Sequence, residues 1–356
     1  MPSGVAGADI TYAFKKSAAA WGAAVALGAG DGFKAPAHNL KATYELQTDD
    51  SLGSAFATDA TPGKIAVNGG LPPYLRYNDK VILTLLAMFM GTAAAPDLHA
   101  AGAISYDHTL KVARVTDGLF GTLAAKLGDK YVEEYPSFKP TRITLKIETG
   151  APITLFIEGI ADDLVTASET NTLATFANVT ILEPANRAFA AQAVLRMNAQ
   201  SAIALAAGDN VPYASIELVA SRDLEGVYGS RVSAGTTPRE LIDEPYPNGM
   251  WTSSLKVGLN RLTSASGDTA LRALTAQKAE IIITGALIEG VIPYLFKVQL
   301  PHLKPKTSDA PHEKGRLKNA REYEVLGAVA APLGMTGNTD PFWIFLTNKL
   351  SASLLA

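Results

Sequence analysis

Histidines and carboxylates are the side chains of this sequence from which metal or acid–base chemistry would be expected to start. No two histidines have the i, i+4 helical spacing of a zinc-binding H-E-x-x-H site, and none joins a carboxylate in a metal-ligand pattern. We therefore predict no catalytic residue, no metal site and no cofactor. The five histidines are His38, His99, His108, His302 and His312; the last two share a charged loop and are interpreted as solvated loop residues in preference to a metal pair.

Short motifs that carry chemistry in other proteins are matched only in part. The glycine-rich run at 28–32 lacks the G-x-G-x-x-G spacing of a nucleotide site, and a flexible arm explains it better. SSLK (253–256) has the Ser-x-x-Lys spacing of serine β-lactamases, but it falls on a predicted strand instead of a helix. Asp162 and Asp163 are neighbours at a strand end, where a capped turn explains them. An enzyme hypothesis therefore has no residue to support it.

Composition limits the class of protein. The chain of 356 residues is long enough for two or three domains, and its 31 basic and 34 acidic side chains give a net charge of −3. This charge is not that of a polybasic nucleic-acid binder. The absence of cysteine excludes disulfides, thiolate zinc sites and iron–sulfur clusters. We expect no signal peptide, because Asp9 precedes the first basic pair, Lys15 and Lys16.

Apolar and polar residues alternate through most of the chain, which is the pattern of half-buried β-strands. Residues 142–160 are predicted to form a hairpin that turns at Gly150. A short helix is predicted at 268–277, where apolar residues share one face. The fold class is therefore mainly β with one or two short helices. Further strands are predicted at 39–47, 213–221, 254–260, 279–288, 294–301, 322–330 and 342–348.

The most hydrophobic stretch, KVILTLLAMFMGTAAAPD (80–97), predicts the strongest helix, at 79–90, with Asn78 as its N-cap and Gly91 at its end. About ten helical residues span roughly 15 Å, which is too short for a membrane core of roughly 30 Å. The helix is apolar almost all round, so we predict burial on more than one side, against its own sheet and a loop, partner domain or neighbouring subunit. The residues concerned are Ile82, Leu83, Leu85, Leu86, Phe89 and Met90.

Two blocks of similar pattern indicate a weak internal repeat. Segments 39–47 and 63–71 resemble 254–262 and 278–287 in order and spacing, which predicts two related β domains. The predicted organisation is an extended or loosely ordered arm at 1–35, a first domain at 36–170 and a second at 171–356.

Two long loops are predicted in the second domain, at 226–249 and 302–324. The latter concentrates basic charge, but Tyr323 is its only aromatic residue. A mixed-charge contact with another protein is therefore favoured over a solvated loop, and both over nucleic-acid binding. The basic residues are Lys304, Lys306, Lys314, Arg316, Lys318 and Arg321.

Several segments follow one another in an order that is typical of one family. They are ITYAFKKSAAAWGAAVAL (10–27), GKIAVNGGLPPYLRYNDKVILTLLAMFMGT (63–92), ISYDHTLKVA (104–113), PTRITLKIETGAPITLFIEGIADDL (140–164), QLPHLKP and FWIFLTNKL (342–350). This order resembles that of the tail tube proteins of long-tailed phages with non-contractile tails, in the form with two tube domains. The second half departs from it, because VIPYLFKVQLP stands in place of a strong apolar helix.

The resemblance implies tandem tube-type β-sandwich domains that contribute strands to an intersubunit β-barrel. Rings of such subunits, with three two-domain chains giving a pseudo-sixfold ring, stack into a hollow tube that conducts DNA during ejection. The implied partners are further copies of the chain, tape measure proteins and tail terminator or distal tail proteins, with DNA only in transit and no membrane. The implied location is the virion tail, assembled in the host cytoplasm, and the basic residues of 302–324 would contact the next ring.

Three other interpretations remain open on the sequence. An inner tube protein of a contractile or phage-derived injection system would share the same strand pattern. A carbohydrate-binding or hydrolytic β-sandwich would need clustered aromatic residues or carboxylates paired across a cleft, whereas Trp21, Trp251 and Trp343 are far apart in sequence. An outer-membrane barrel is disfavoured by the missing signal peptide and the weak aromatic girdles.

Overall fold

A computed structural model describes residues 7–17, 19–48, 59–100, 102–182, 187–231, 239–261, 266–309 and 319–356. Antiparallel strands dominate it, with two short α-helices in these ranges. This confirms the predicted fold class of a mainly β protein with one or two short helices.

The strands and helices of the first half lie between residues 10 and 161. They are β1 (Ile10–Lys16), β2 (Gly32–Phe33), β3 (Lys41–Thr48), β4 (Ala60–Leu71), α1 (Lys80–Met90), β5 (Gly91–Ala93), β6 (Asp97–Leu98), β7 (Tyr106–Val112), β8 (Gly121–Leu127), β9 (Tyr131–Glu148) and β10 (Thr154–Ala161).

Those of the second half begin at residue 193. They are β11 (Ala193–Ala199), β12 (Ser215–Ser221), β13 (Leu224–Glu225), β14 (Tyr228–Arg231), β15 (Arg239–Ile242), β16 (Tyr246–Pro247), β17 (Thr252–Leu259), α2 (Ser266–Arg272), β18 (Gln277–Glu289), β19 (Ile292–Asp309), β20 (Asn319–Leu326) and β21 (Trp343–Asn348). The predicted hairpin at 142–160 is confirmed as β9 and β10.

Two strands of 18 residues, β9 and β19, each pair with different neighbours along their length. The first half of β9 pairs with β8 and its second half with β10. In the same way β19 pairs first with β18 and then with β20. Each strand has a bulge directly after a proline. In β9, Pro140 is opposite Gly159 and the next residue has no opposite residue on β10. In β19, Pro305 is opposite Tyr323 and the next residue has no opposite residue on β20. Bulges of this kind bend a strand, so one strand can serve two differently oriented parts of a sheet.

The same arrangement occurs twice along the chain. In the first half, β3, β4, β10, β9, β8 and β1 are neighbours in that order. In the second half, the corresponding neighbours are β12, β17, β20, β19, β18 and β11. The chain visits both sets in the same sequence, with α1 and α2 at matching points. We call residues 10–161 the first repeat and residues 193–326 the second repeat.

A sequence signal for this duplication lies in the long strands. YPSFKPTR (135–142) and LPHLKPKT (300–307) carry prolines at matching positions and a Lys-Pro pair just before the bulge. The alignment that we predicted from 39–47 and 254–262 is wrong, because the counterpart of β17 in the sheet is β4 and not β3. The segment VIPYLFKVQLP belongs to β19, the counterpart of β9, and the counterpart of α1 is α2.

Strand pairing also joins the two repeats. β12 of the second repeat pairs antiparallel with the second half of β9, from Ser215 opposite Glu148 to Ser221 opposite Arg142. One continuous sheet therefore runs β3–β4–β10–β9–β12–β17–β20–β19. A second connection pairs β21, after the second repeat, with β7 of the first.

Helix α1 is enclosed within the chain. It packs against β9 of its own repeat, while Phe89 contacts Trp251 from the second repeat with ring centroids 5.0 Å apart. Asp79, and not Asn78 as predicted, is the N-cap, because its carboxylate accepts from the Ile82 N–H. Gly91 ends the helix with a φ of 90°, a conformation that glycine adopts at little cost. All six residues predicted for this buried helix are buried: Ile82, Leu83, Leu85, Leu86, Phe89 and Met90.

The predicted arm and loops contain more regular structure than expected. Within 1–35, β1 pairs with β8 and its Phe14 side chain is buried. Residues 302–309 belong to β19 and 319–324 to β20, while 226–249 contains β14, β15 and β16. The alternation in ITYAFKK (10–16) is a strand signal that the arm prediction missed, whereas the two loop segments alternate only weakly. The predicted second helix is observed as α2, which ends at Arg272.

We predict that Leu85→Asp and Phe89→Asp each remove the cooperative folded state. Both side chains have no exposed surface, and an unpaired carboxylate at either place costs about 4 kcal/mol or more, a large part of a typical folding free energy. Thermal unfolding followed by circular dichroism measures the effect. The control is Val329→Asp, because Val329 is fully exposed. Melting curves of the helix variants that match the wild type would contradict this account of α1.

Candidate functional site: the junction between the repeats

The residues with possible chemistry are dispersed in the structure. His99 Nδ1 lies 2.7 Å from Asp107, while His108 is buried and bonds to Asn348 and the Leu350 carbonyl. Burial lowers the pKa of His38 although Glu133 lies 3.5 Å away. Among the described residues, no three His, Asp or Glu side chains are arranged to hold a metal ion. His302 lies on β19, and His312 falls outside the described residues.

Ser253 and Lys256 of the Ser-x-x-Lys match lie on β17, as the strand prediction requires. The Ser253 hydroxyl donates to the Val325 carbonyl, and Lys256 faces Glu217 and Glu322 on the neighbouring strands. Ser253 is therefore engaged by the sheet backbone, and Lys256 lies on the strand beside two carboxylates, not next to Ser253 on a helix.

We use the term junction for the contacts of the second repeat with the first around the β12–β9 ladder. Arg222 is its central side chain. It follows β12, and its guanidinium donates to the carbonyls of Phe89 (2.7 Å), Met90 (2.9 Å) and Ala113 (2.8 Å). The first two carbonyls belong to the last turn of α1, which lacks intrahelical donors and carries the negative end of the helix dipole. Burial lowers the pKa of Arg222 to about 9, so the side chain keeps its charge at neutral pH. The second repeat thus completes the C-terminus of a helix in the first.

Trp251 covers this contact from the outside. Its ring centroid lies 4.0 Å from the Arg222 guanidinium, 5.0 Å from the Phe89 ring and 6.1 Å from that of Phe342. A cleft opens beside it, and Asp223 and Met250 line the cleft. Because the tryptophan ring is packed against three partners, it offers little free face on which a sugar could stack.

Asp162 and Asp163 form a second contact of the junction, which the turn interpretation did not predict. Both are buried at the end of β10, and the Arg231 guanidinium of β14 bonds to Asp162. Arg239 of β15 lies 3.9 Å from Asp163. Burial raises the pKa of Asp162 to about 6, against the lowering effect of Arg231. These pairs hold the β14–β15 hairpin of the second repeat against the first.

A third contact involves a buried lysine. Lys139, on β9, has a side chain that is 1% exposed, and its ammonium group bonds to Glu244 at 2.7 Å and to the Pro245 carbonyl at 2.9 Å. Removal of the Glu244 carboxylate would leave the Lys139 ammonium group buried without its ionic partner. The junction therefore combines a strand ladder, a helix cap and two ion pairs, each with one fully buried member.

The solvent-facing side of the continuous sheet carries charges that alternate from strand to strand. In one row, Lys146 of β9 faces Glu217 of β12, which faces Lys256 of β17, which faces Glu322 of β20. The Lys306 ammonium of β19 lies 3.7 Å from Glu322 and extends the row. Cross-strand pairs of opposite charge are stabilising, and their alternation leaves no large field of one sign.

The basic residues predicted for an inter-ring contact are divided by the structure. Lys304 donates to the Leu274 carbonyl at 2.9 Å, and Arg321 of β20 donates to Asn319 at 2.9 Å. With Lys306 they belong to the sheet and not to a free loop. Lys314, Arg316 and Lys318 lie outside the described residues.

The junction residues Arg222, Asp162 and Arg231 had no local sequence signal, because their partners are more than sixty residues away. No protein-family model matches the chain, and no curated protein matches its sequence. Of the helices in the described ranges, none has the length and hydrophobicity needed to cross a membrane.

We predict that Arg222→Met destabilises the protein by roughly 3 kcal/mol or more, because the Phe89 carbonyl loses its guanidinium donor and the Met90 carbonyl keeps only the Ala113 N–H. Urea unfolding measures the change in free energy. The matched control is Arg114→Met, since Arg114 is an exposed arginine at the same cleft and its loss should change stability by less than about 0.5 kcal/mol. Equal effects of the two substitutions would show that Arg222 does not hold the junction.

Proposed function

We propose that this protein is a structural subunit that assembles with copies of itself into rings, which stack into the hollow tube of a phage tail. One observation carries this proposal. The two repeats of a single chain already lie side by side in one continuous sheet, joined by the pairing of β12 with β9. A further copy that extended the sheet would repeat a step that the chain makes internally, and heterologous steps of this kind generate closed rings or filaments.

The size of the sheet supports an assembly of several copies. In the described ranges, one chain contributes eight strands to the continuous sheet. A barrel of about eight strands is filled by its own side chains, whereas barrels of about 16 strands or more enclose an open channel. Three chains, with six repeats, would give a pseudo-sixfold ring whose barrel is large enough to enclose an open channel. Closure would also remove the sheet edges, which otherwise promote unspecific aggregation.

The polar face of the sheet suits the wall of a DNA conduit. Ile147 and Leu218 point to the buried face, so the alternating row from Lys146 to Lys306 faces solvent and would line the lumen. Each cation that neutralises a phosphate strengthens attachment to DNA, but here the cations are paired with carboxylates in the sheet. DNA could therefore pass without being held.

The same proposal defines the partners and the location. The contacts would be with copies of the chain in the ring and in the next ring, with a tape measure protein in the lumen, and with tail terminator or distal tail proteins at the ends. The chain would assemble in the host cytoplasm and function in the virion tail, where its role is structural and requires no catalytic residue.

Negative-stain electron microscopy of the purified full chain tests this proposal. We predict rings and hollow filaments of uniform width, with six repeating densities around each ring, at protein concentrations that favour assembly. Arg222→Met serves as a comparison, because loss of the junction should abolish regular rings. A protein that stays monomeric at high concentration would overturn the proposal.

We further predict that the triple variant Lys314→Glu, Arg316→Glu, Lys318→Glu forms rings but much shorter filaments. These residues belong to the segment interpreted as the inter-ring contact, and reversal of three charges would turn attraction between rings into repulsion. Filament length in micrographs is the measurement. The control is Lys111→Glu, since Lys111 belongs to β7 and not to this segment. Filaments of unchanged length would remove this segment from the stacking contact.

A further inference from the structure

We propose that β3 of one copy pairs antiparallel with the end of β19 in the next copy, in the register that β12 uses on β9. This inference rests on the proposed ring and names the contact that would close it. The ligand for each edge is therefore a second copy of this chain, and the contact is heterologous, with a donor strand on one side and an acceptor edge on the other.

The donor is β3, the counterpart of β12. β12 has two neighbours, β17 of its own repeat and β9 of the other. β3 pairs with β4 in the matching way, but none of the described strands pairs with its outer edge. Lys41 and Thr43, which the register below uses, are exposed, and Ala42 between them is half-buried. β3 is thus the counterpart of the strand by which the second repeat joins the first, and its outer edge has no partner among the described strands.

The acceptor is the end of β19, the counterpart of β9. In β9, pairing with β8 stops at Phe138, and β12 occupies the same side of the strand from Arg142 onwards. In β19, pairing with β18 stops at Leu303, and Pro305 and Thr307 then pair with β20 on the other side. β12 therefore follows β8 along one side of β9. On the matching side of β19, no described strand follows β18. The end of β19 is thus the counterpart of the β9 edge to which β12 binds, and no described strand pairs with it on that side.

The register follows from residues that lie opposite one another on successive strands. Such a row starts at the lysine before the bulge proline in each repeat and ends on β3 or β12. The row Lys139, Ile160, Asn68, Lys41 of the first repeat corresponds to Lys304, Glu324, Ser254, Val219 of the second. Lys41 therefore takes the place of Val219.

Across the junction Val219 faces Thr144, which is four residues after the bulge proline Pro140. The residue four after Pro305 is Asp309. The transferred register places Lys41 opposite Asp309, Ala42 opposite Ser308, and Thr43 opposite Thr307. Both edges belong to the two ends of one sheet, so copies can add in one direction until the ring closes.

Engineered disulfides test this register, and native thiols cannot form competing disulfides because the chain has no cysteine. Directly opposed residues of an antiparallel pair have Cα atoms about 4.5–5.5 Å apart, within the range of a disulfide. We predict that Ala42→Cys and Ser308→Cys form no covalent dimer alone, yet form one when the two variants are mixed and oxidised. The double variant should give covalent species up to a trimer. Thr43→Cys mixed with Ser308→Cys is the control, because neighbouring residues of a strand point to opposite faces.

The outcomes separate this contact from the proposed function. Rings in micrographs without cross-linking of Ala42→Cys to Ser308→Cys would overturn the contact and leave the ring assembly standing. Equal cross-linking of the Thr43→Cys control would overturn the register. Covalent dimers of Ala42→Cys alone would show a symmetric contact between two β3 strands and overturn the heterologous arrangement. Absence of both rings and cross-links would overturn both proposals.

Discussion

The backbone ladder between β12 and β9 is the interaction on which the rest of the structure depends. It aligns the two repeats so that one sheet continues through both, and it brings Arg222, the residue after β12, to the end of α1. A hydrogen-bonded ladder sets register to a single residue, because a shift by one would turn every side chain to the other face. The helix cap, the packing of Trp251 on Phe89 and the alternating charges of the polar face all require that register.

The duplication is asymmetric, and the asymmetry follows from this ladder. Helix α1 receives its cover and its C-terminal donors from the second repeat of the same chain. Its counterpart α2 is shorter, and Leu274 next to it is 59% exposed. One repeat is therefore completed within the chain, while the other presents surfaces for which the described residues supply no cover. A two-repeat chain with one internal junction and one sheet end without a described partner fits the ring assembly that we propose.

Much of the fold was predictable because its signals are local. Alternation in RITLKIETG and a glycine at the turn predicted the β9–β10 hairpin, and an apolar run before Gly91 predicted α1. The Lys-Pro pairs at 139–140 and 304–305 also marked the duplication in the sequence. The contacts of Arg222 with Phe89 and of Arg231 with Asp162 were not predictable, since an arginine after a strand usually faces solvent and its partner is set by tertiary packing.

In the contact that we propose, each edge has to pair with one partner and avoid others, and both β3 and the end of β19 carry features that restrict pairing. β3 has a bulge between Tyr44 and Leu46 opposite Pro62, and β19 has one after Pro305. Bulges and prolines interrupt a ladder, so a flat strand from an unrelated protein cannot pair along the full length of either edge. A strand with the matching interruption pairs at lower cost. The β12–β9 ladder within the chain is an example. Its pairing on β9 begins at Arg142, two residues after Pro140, and continues for the seven residues of β12.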